Sequence, residues 1–246
     1  MIYYSLKNKN CLVTGGSRGI GKSIVDTLLN QDAKVISVAR NMCSIKCDGQ
    51  YFPYDCDLLE KESLEIFCDQ VMKEHGLPDV IIHNVGGSYQ ITSEFAPANE
   101  WEMVWRFNVG ISVDINNFFI KKMLEKKHSG KIIHISSAAT KTLLGYAPYI
   151  SAKSALNGYI KTMASRYSQY GILINGVSPG AVRLPNRYFA NLEENNPDEL
   201  SIFLDHHVAI KRLAKPEEIS SVVLFLASDA ASYMTGAVID VDGGLS

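Results

Sequence analysis

The chain has 246 residues, 46% of them hydrophobic, enough to bury a full core in one domain over residues 1–246. Its 24 Lys and Arg against 26 Asp and Glu give a formal net charge of -2, without a basic stripe that would neutralise a row of phosphates, so nucleic acid is not an expected partner. No apolar run approaches the about 18 residues of a spanning helix, and Lys7 and Lys9 precede any apolar run, so neither membrane nor secretion is expected and the chain reads as cytoplasmic.

The first apolar run bounded by turn residues, Asn10 to Thr14, reads as a buried parallel strand. It leads through Thr14-Gly15-Gly16-Ser17-Arg18-Gly19-Ile20-Gly21 into an amphipathic stretch, Gly19 to Asn30, of helical period. Glycines at 15, 19 and 21 let the backbone turn sharply and approach a pyrophosphate, which then lies against the free N–H groups of the helix. A glycine triplet alone can be an ordinary strand-to-helix turn; its place at the first strand of a βαβ unit favours a dinucleotide site.

The second strand, Lys34 to Ala39, ends where an NAD site would place an Asp or Glu for the ribose hydroxyls. Ala39 cannot fill that role. Arg40 follows it, and with Arg18 it can hold a 2′-phosphate through forked, charge-assisted hydrogen bonds. Either arginine alone is as readily a solvated surface residue; together, without the acid, they indicate NADP(H). Asp57-Leu58 follows the next short strand and faces the cofactor side, although Asp57 can equally cap the helical stretch Glu60 to His75. The five cysteines, Cys11, Cys43, Cys47, Cys56 and Cys68, are odd in number and lack a CxxC pair, so free thiols are expected and no metal site.

A strand over Val80 to His83 ends in Asn84-Val85-Gly86-Gly87, again on the cofactor side, and Glu100 to Lys127 reads as a helix. The strand Lys131 to Ser136 closes on Ser136-Ser137, where a hydroxyl can donate to a substrate oxygen as charge develops, or simply cap a turn. Tyr149 and Lys153, four apart in the helical stretch Tyr149 to Tyr170, share a face. A phenol titrates near pH about 10 and is a poor catalyst at neutrality. A cation about 4 Å away at an effective dielectric of about 20 stabilises the phenolate by about 4 kcal/mol, so Lys153 is expected to lower the Tyr149 pKa and make it a usable general acid or base. A strand over Leu173 to Val177, an irregular stretch at about 183–211 that reads as a substrate lid, a helix over Pro216 to Ser228 and a strand over Ala237 to Val241 complete the chain. This alternation demands right-handed crossovers, hence an α/β doubly wound parallel sheet, a three-layer Rossmann fold.

In this order and spacing the segments Thr14 to Gly21, Asn84-Val85-Gly86, Asn108 within Trp105 to Val109, Ser136-Ser137, Tyr149-x-x-x-Lys153, Asn175-x-Val177-x-Pro179-Gly180 and Arg212 to Gly244 resemble the classical short-chain dehydrogenases/reductases across essentially the whole chain. The resemblance implies a catalytic tetrad of Asn108, Ser137, Tyr149 and Lys153, with Asn108 holding a water that links Lys153 to solvent. It implies that Lys153 binds the nicotinamide ribose and that Val182, after Pro179-Gly180, orients the carboxamide. It also implies a homotetramer or homodimer built through the helices carrying Asn108 and Tyr149. Ser136 stays open as the alternative to Ser137, because the commoner serine-to-tyrosine spacing points to it. His83, Val85 and Leu184 depart from the family's usual Asn, Ala and Thr.

The end of the chain resembles bacterial 3-oxoacyl-carrier-protein reductases, which meet their acidic carrier through arginines near the active-site mouth. The corresponding positions here are His128 and Tyr170, so a small polar keto or hydroxy compound, such as a sugar or glycan precursor, is the expected substrate. Carrier-protein reduction, and a non-catalytic NADP(H)-binding protein on the same fold, are the alternatives.

Overall fold

The computed structural model describes residues 4–42, 49–185 and 187–246; Cys43 and Cys47, and Asn186 of the expected lid, lie outside the described residues. In chain order the elements are β1 (Asn10–Thr14), α1 (Gly19–Leu29), β2 (Lys34–Ala39), β3 (Tyr51–Asp55), α2 (Lys61–His75), β4 (Val80–His83), α3 (Ala98–Trp105), a π turn (Arg106–Gly110), α4 (Ile111–Lys126) and β5 (Gly130–Ile135). They continue with α5 (Ala139–Thr142), α6 (Ala147–Tyr167), β6 (Ile172–Pro179), α7 (Tyr188–Asn195), α8 (Pro197–His207), α9 (Pro216–Ala227) and β7 (Val238–Val241).

The strands form one seven-stranded sheet in the order β3-β2-β1-β4-β5-β6-β7, every pairing parallel. Parallel strands covered on both faces can be apolar at successive positions, and alternate residues then enter opposite cores. Leu12, Ile36, Ile81 and Ile132 pack with α2, α4 and α6. Val13, Val35, Ile82 and Ile133 pack with Ile24 and Leu28 of α1 and Ile219 and Val223 of α9. α1 and α9 are further joined by hydroxyls: Ser220 Oγ lies 3.0 Å from Ser23 Oγ and 2.8 Å from Thr27 Oγ1.

The sheet is the doubly wound one that the alternation demands, and the differences are local. The stretch expected as one helix over Glu100 to Lys127 begins at Ala98 and is interrupted at Arg106–Gly110 by a π turn, which carries Asn108. Such bulges leave no signature in apolar periodicity. Ser136 lies just beyond β5, and β6 extends to Pro179. The lid stretch is not irregular: α7 and α8 occupy most of it, divided at Asn196, whose side chain caps α8, with Pro197 opening that helix. Cys11 and Cys68 are buried, and with Cys56 they are free thiols. Among the described residues no cluster of metal-ligating side chains occurs, and no helix is long and apolar enough to cross a membrane.

One polar pair lies inside the sheet. His83 and His134 face each other in register on β4 and β5, their rings stacked at 4.6 Å and 16°. His83 Nε2 lies 2.8 Å from Asn116 Oδ1, and Asn116 Nδ2 donates to the Tyr159 hydroxyl at 3.1 Å. Neither ring nitrogen of His134 has a hydrogen-bond partner, and its ring meets Tyr159 edge-on. Burial holds the His83 pKa down at about 4 and that of His134 well below the usual value, the latter helped by His83 and Lys153 nearby. Both rings are therefore neutral in the folded chain at pH values where the unfolded chain protonates them. That difference makes folding most favourable above pH about 6.5 and weakens it as pH falls towards 4, by roughly 3 kcal/mol for His83. Urea unfolding between pH 7 and 4 should show this loss, and His83→Asn should flatten the dependence; an unchanged slope in the variant would rule out His83 as its source.

Candidate active site

A cleft of about 980 Å³ opens beyond the carboxyl ends of the central strands, where the sheet order reverses between β1 and β4. The reversal is braced by Thr14 and Asn84. Thr14 Oγ1 accepts from the backbone N–H groups of Asn84 (3.0 Å) and Val85 (3.2 Å), while Asn84 Nδ2 donates to the carbonyls of Thr14 (3.2 Å) and Gly15 (3.1 Å). Asn84 borders the cleft, yet its amide holds the glycine loop in shape.

Within that loop Gly19 adopts φ +57°, and a Cβ on Gly21 would stand 2.1 Å from the Gly15 carbonyl oxygen, so nothing larger fits there. Arg18 precedes α1 in extended conformation without a side-chain cap, and the first turn of α1 holds no acid, so its N–H groups remain open to an anion. The expected cofactor residues Gly15, Ser17, Arg18, Gly19, Ile20, Gly21, Arg40, Asp57, Leu58, Asn84, Gly86, Pro179, Gly180 and Val182 all line this one cleft. Arg18 and Arg40 are exposed along it; the ion-paired arginines among the described residues are Arg106, Arg183 and Arg212. Asp57 does not cap α2, whose N-cap is Glu60; its carboxylate accepts from Leu59 N–H at 3.1 Å within the preceding turn.

The same cleft receives Ser137, Tyr149 and Lys153. The Ser137 hydroxyl acts on the Tyr149 phenol, opposing part of the upward pKa shift that burial causes. Ser136 also borders the cleft, but it is buried and its hydroxyl is committed to Asn157 Oδ1 at 2.5 Å. Lys153, 3% exposed, donates from Nζ to the Ile135 carbonyl at 2.7 Å and stands 5.8 Å from the Tyr149 ring centre.

Electrostatics here run against the expectation from spacing. Burial raises the Tyr149 pKa, partly offset by the Ser137 hydroxyl, and burial pushes the Lys153 ammonium down to about 7. Lys153 does not pull the phenol down, because desolvation by burial dominates at both groups and disfavours both charged forms. Four-residue spacing placed the two side chains on one face but carried no information about burial.

Asn108 does not border the cleft directly. In the π turn it is 1% exposed, its Nδ2 donating to the carbonyls of Gly87 and Val104 (both 2.8 Å) and its Oδ1 accepting from Gly87 N–H at 2.9 Å. Gly86 separates it from the lysine: a Cβ there would fall 2.7 Å from Asn108 Oδ1 and 2.9 Å from Lys153 Nζ.

Phe107 also lines the cleft, as do Leu184, Arg187, Tyr188 and Phe189 of the expected lid, none of which motif or spacing singles out for a contact there. The two prolines and paired aromatics of the lid stretch were the available signal, but a lid's path over a site is set by tertiary packing. Leu184, where relatives often carry Thr, lies over the glycine loop, with its Cδ atoms 3.5 and 3.8 Å from where a Cβ on Gly19 would stand. His128 and Tyr170 precede β5 and β6, at the end of the sheet opposite the cleft, so within this chain they do not flank its mouth.

The family model described as Enoyl-(Acyl carrier protein) reductase matches residues 15–246. The 3-oxoacyl-[acyl-carrier-protein] reductase FabG of Salmonella typhimurium is 31% identical over 247 residues, covering 98% of each chain. Among solved structures, the L-sorbose reductase of Gluconobacter frateurii complexed with NADPH and L-sorbose matches with a TM-score of 0.89 at 26% identity, over 98% of both chains. The Pseudomonas aeruginosa RhlG/NADP active-site complex matches with a TM-score of 0.88 at 26% identity, over 99% of this chain and 98% of that one. Matching along nearly its whole length in sequence and in fold, the chain belongs to the classical short-chain dehydrogenases/reductases, a family of oxidoreductases.

Proposed function

We propose that the protein interconverts a carbonyl and a secondary alcohol with NADP(H), Tyr149 being the general acid or base. The observation that carries this reading is that Ser137, Tyr149 and Lys153 line one cleft with the glycine loop. A non-catalytic binding protein on this fold has no need to keep these groups together.

The residues fit the dinucleotide. The loop from Gly15 to Gly21 leaves a backbone cradle that a Cβ on Gly21 would fill, and the open N-terminus of α1 receives the pyrophosphate. Arg18 and Arg40 take the 2′-phosphate, Asp57 and Leu58 border the adenine end, and Gly86, Pro179, Gly180 and Val182 border the nicotinamide end. The cofactor supplies or accepts the hydride at its nicotinamide. Lys153 holds the nicotinamide ribose, and Asn108 fixes the Gly86-Gly87 backbone beside it and takes part in the solvent link to Lys153.

The raised pKa of Tyr149 has a directional consequence. At neutral pH the phenol holds its proton, as carbonyl reduction requires: it donates that proton to the substrate oxygen while the Ser137 hydroxyl donates a hydrogen bond to the same atom. Oxidation needs the phenolate, which the buried site disfavours, so the oxidative rate is expected to rise with pH.

The substrate reading is a small polar keto or hydroxy compound, such as a sugar or glycan precursor. It is supported by the likeness to L-sorbose reductase and by the aromatic faces of Phe107, Tyr188 and Phe189, which can pack on sugar C–H groups. Acyl-carrier-protein reduction is the second reading, favoured by the FabG relative and by the position of His128 and Tyr170 away from the cleft, which leaves the mouth no poorer for their lacking charge.

An NADPH-oxidation screen over keto sugars, 3-oxoacyl thioesters and small ketones should find turnover in the first class. Tyr149→Phe should lower that turnover at least about a hundredfold while nucleotide binding persists. Ser137→Ala should lose about 10²–10³ in kcat, whereas Ser136→Ala should retain most of it. Tyr149→Phe at wild-type rate would overturn the mechanism. Arg40→Asp should shift preference from NADPH to NADH, measured as the ratio of kcat/KM; a constant ratio would remove Arg40 from the phosphate site.

A homo-oligomer is also proposed, packed through α4 and α6. α6 exposes small residues, Ser151, Ser154, Ala155, Gly158 and Thr162, and Trp105 just ahead of the π turn is 46% exposed, so another copy can approach this flat face closely. Light scattering after size exclusion should give a dimer or tetramer mass, and Gly158→Trp should reduce it.

A further inference from the structure

Beyond Pro179-Gly180 the chain crosses in front of the glycine loop before entering the lid. Leu184 packs over Gly19, and Arg187 N–H donates to the Leu184 carbonyl at 3.2 Å, closing a turn that places Arg187 directly before α7. Arg187 lines the cleft together with Arg18, and its pKa is lowered, first by burial and then by the Arg18 charge. Among the described residues, neither arginine forms an ion pair with a carboxylate. Arg183, the other arginine at the base of the lid, is occupied by Glu193, and the first turn of α7 contains no acid. Two guanidinium groups facing one cleft without a counter-ion repel each other until an anion lies between them, after which each can donate forked hydrogen bonds to its oxygens.

We infer that Arg187 is a phosphate ligand of the dinucleotide, carried on the lid and acting with Arg18, so that the seated phosphate holds the lid against the glycine loop. This rests on the cofactor reading above and adds a residue that recognises the cofactor from outside the β1–α1 and β2 segments. It also gives the lid a chemical reason to close on the nucleotide before a substrate pocket is formed beside Tyr188 and Phe189. The 2′-phosphate and the pyrophosphate offer the same chemistry to a guanidinium, and the binding of NADPH and NADH separates them.

Equilibrium titration of wild type, Arg187→Ala and Arg187→Lys by nucleotide fluorescence, without substrate, tests the assignment. Arg187→Ala should weaken NADPH binding about ten- to a hundredfold, with Arg187→Lys restoring part of it. Weakening of NADPH alone assigns the 2′-phosphate; equal weakening of NADPH and NADH assigns the pyrophosphate. In limited proteolysis, saturating NADPH should protect residues 183–211 in wild type and protect them less in Arg187→Ala. Because Arg187 is exposed and opposed by Arg18, the nucleotide-free variant should melt no lower than wild type, which separates lost binding from lost folding. Unchanged dissociation constants for both nucleotides in Arg187→Ala would overturn the inference, while a wild-type protein that binds neither nucleotide would overturn the cofactor reading beneath it.

Discussion

The site depends on one junction, the Thr14–Asn84 brace between the ends of β1 and β4. A parallel sheet whose order reverses there must leave a crevice, since the chain departs to opposite faces on either side of it. The strands define only the edge of the crevice. Four hydrogen bonds between Thr14 or Gly15 on one side and Asn84 or Val85 on the other turn that edge into a fixed glycine loop with open N–H groups. From it the path runs through Gly86 to the point where Asn108 and Lys153 approach each other. A shift of the junction would therefore displace the phosphate cradle and the proton-handling groups together.

Desolvation dominates the other end of the cleft. Lys153, Tyr149, His134 and His83 all have pKa values displaced towards the neutral form, and burial is the largest cause for each. An exposed Tyr–Lys pair would hold its charges through Coulomb attraction; this buried one keeps its proton on the phenol and holds its ammonium by a backbone carbonyl. The arrangement suits a site that donates a proton on demand. It also costs the fold some stability at acid pH, because the histidines behind the site resist protonation that the unfolded chain accepts freely.

Much of this was legible in the sequence, for identifiable reasons. Apolar runs at strand length and amphipathic stretches between them specify the sheet through burial alone, and the glycine loop is legible because Gly21 has no tolerable substitute. The choice between Ser136 and Ser137 was not legible from spacing, since two adjacent residues past a strand end point to different places and only packing decides which. Here Asn157 accepts from Ser136, while Ser137 opposes the burial shift of Tyr149. The π turn, the sign of the Tyr149 shift and the path of the lid share one cause of illegibility: each is fixed by contacts between segments far apart in the chain.

The lid shows how those distant contacts connect recognition to chemistry. Its base is tethered to the segment ahead of α9, Val182 bridging Ala214 and Arg183 N–H donating to the Ala214 carbonyl at 2.9 Å, so motion must begin beyond that point. The segment immediately beyond it carries Leu184 over the glycine loop and Arg187 towards Arg18, followed by the aromatic pair Tyr188–Phe189 at the substrate side. A phosphate that draws Arg187 inward would carry those aromatics with it, because Arg187 directly precedes the helix on which they stand. Cofactor recognition and the shape of the substrate pocket then become two consequences of one ionic contact, and selectivity for the phosphorylated nucleotide can be expressed in kcat as well as in binding.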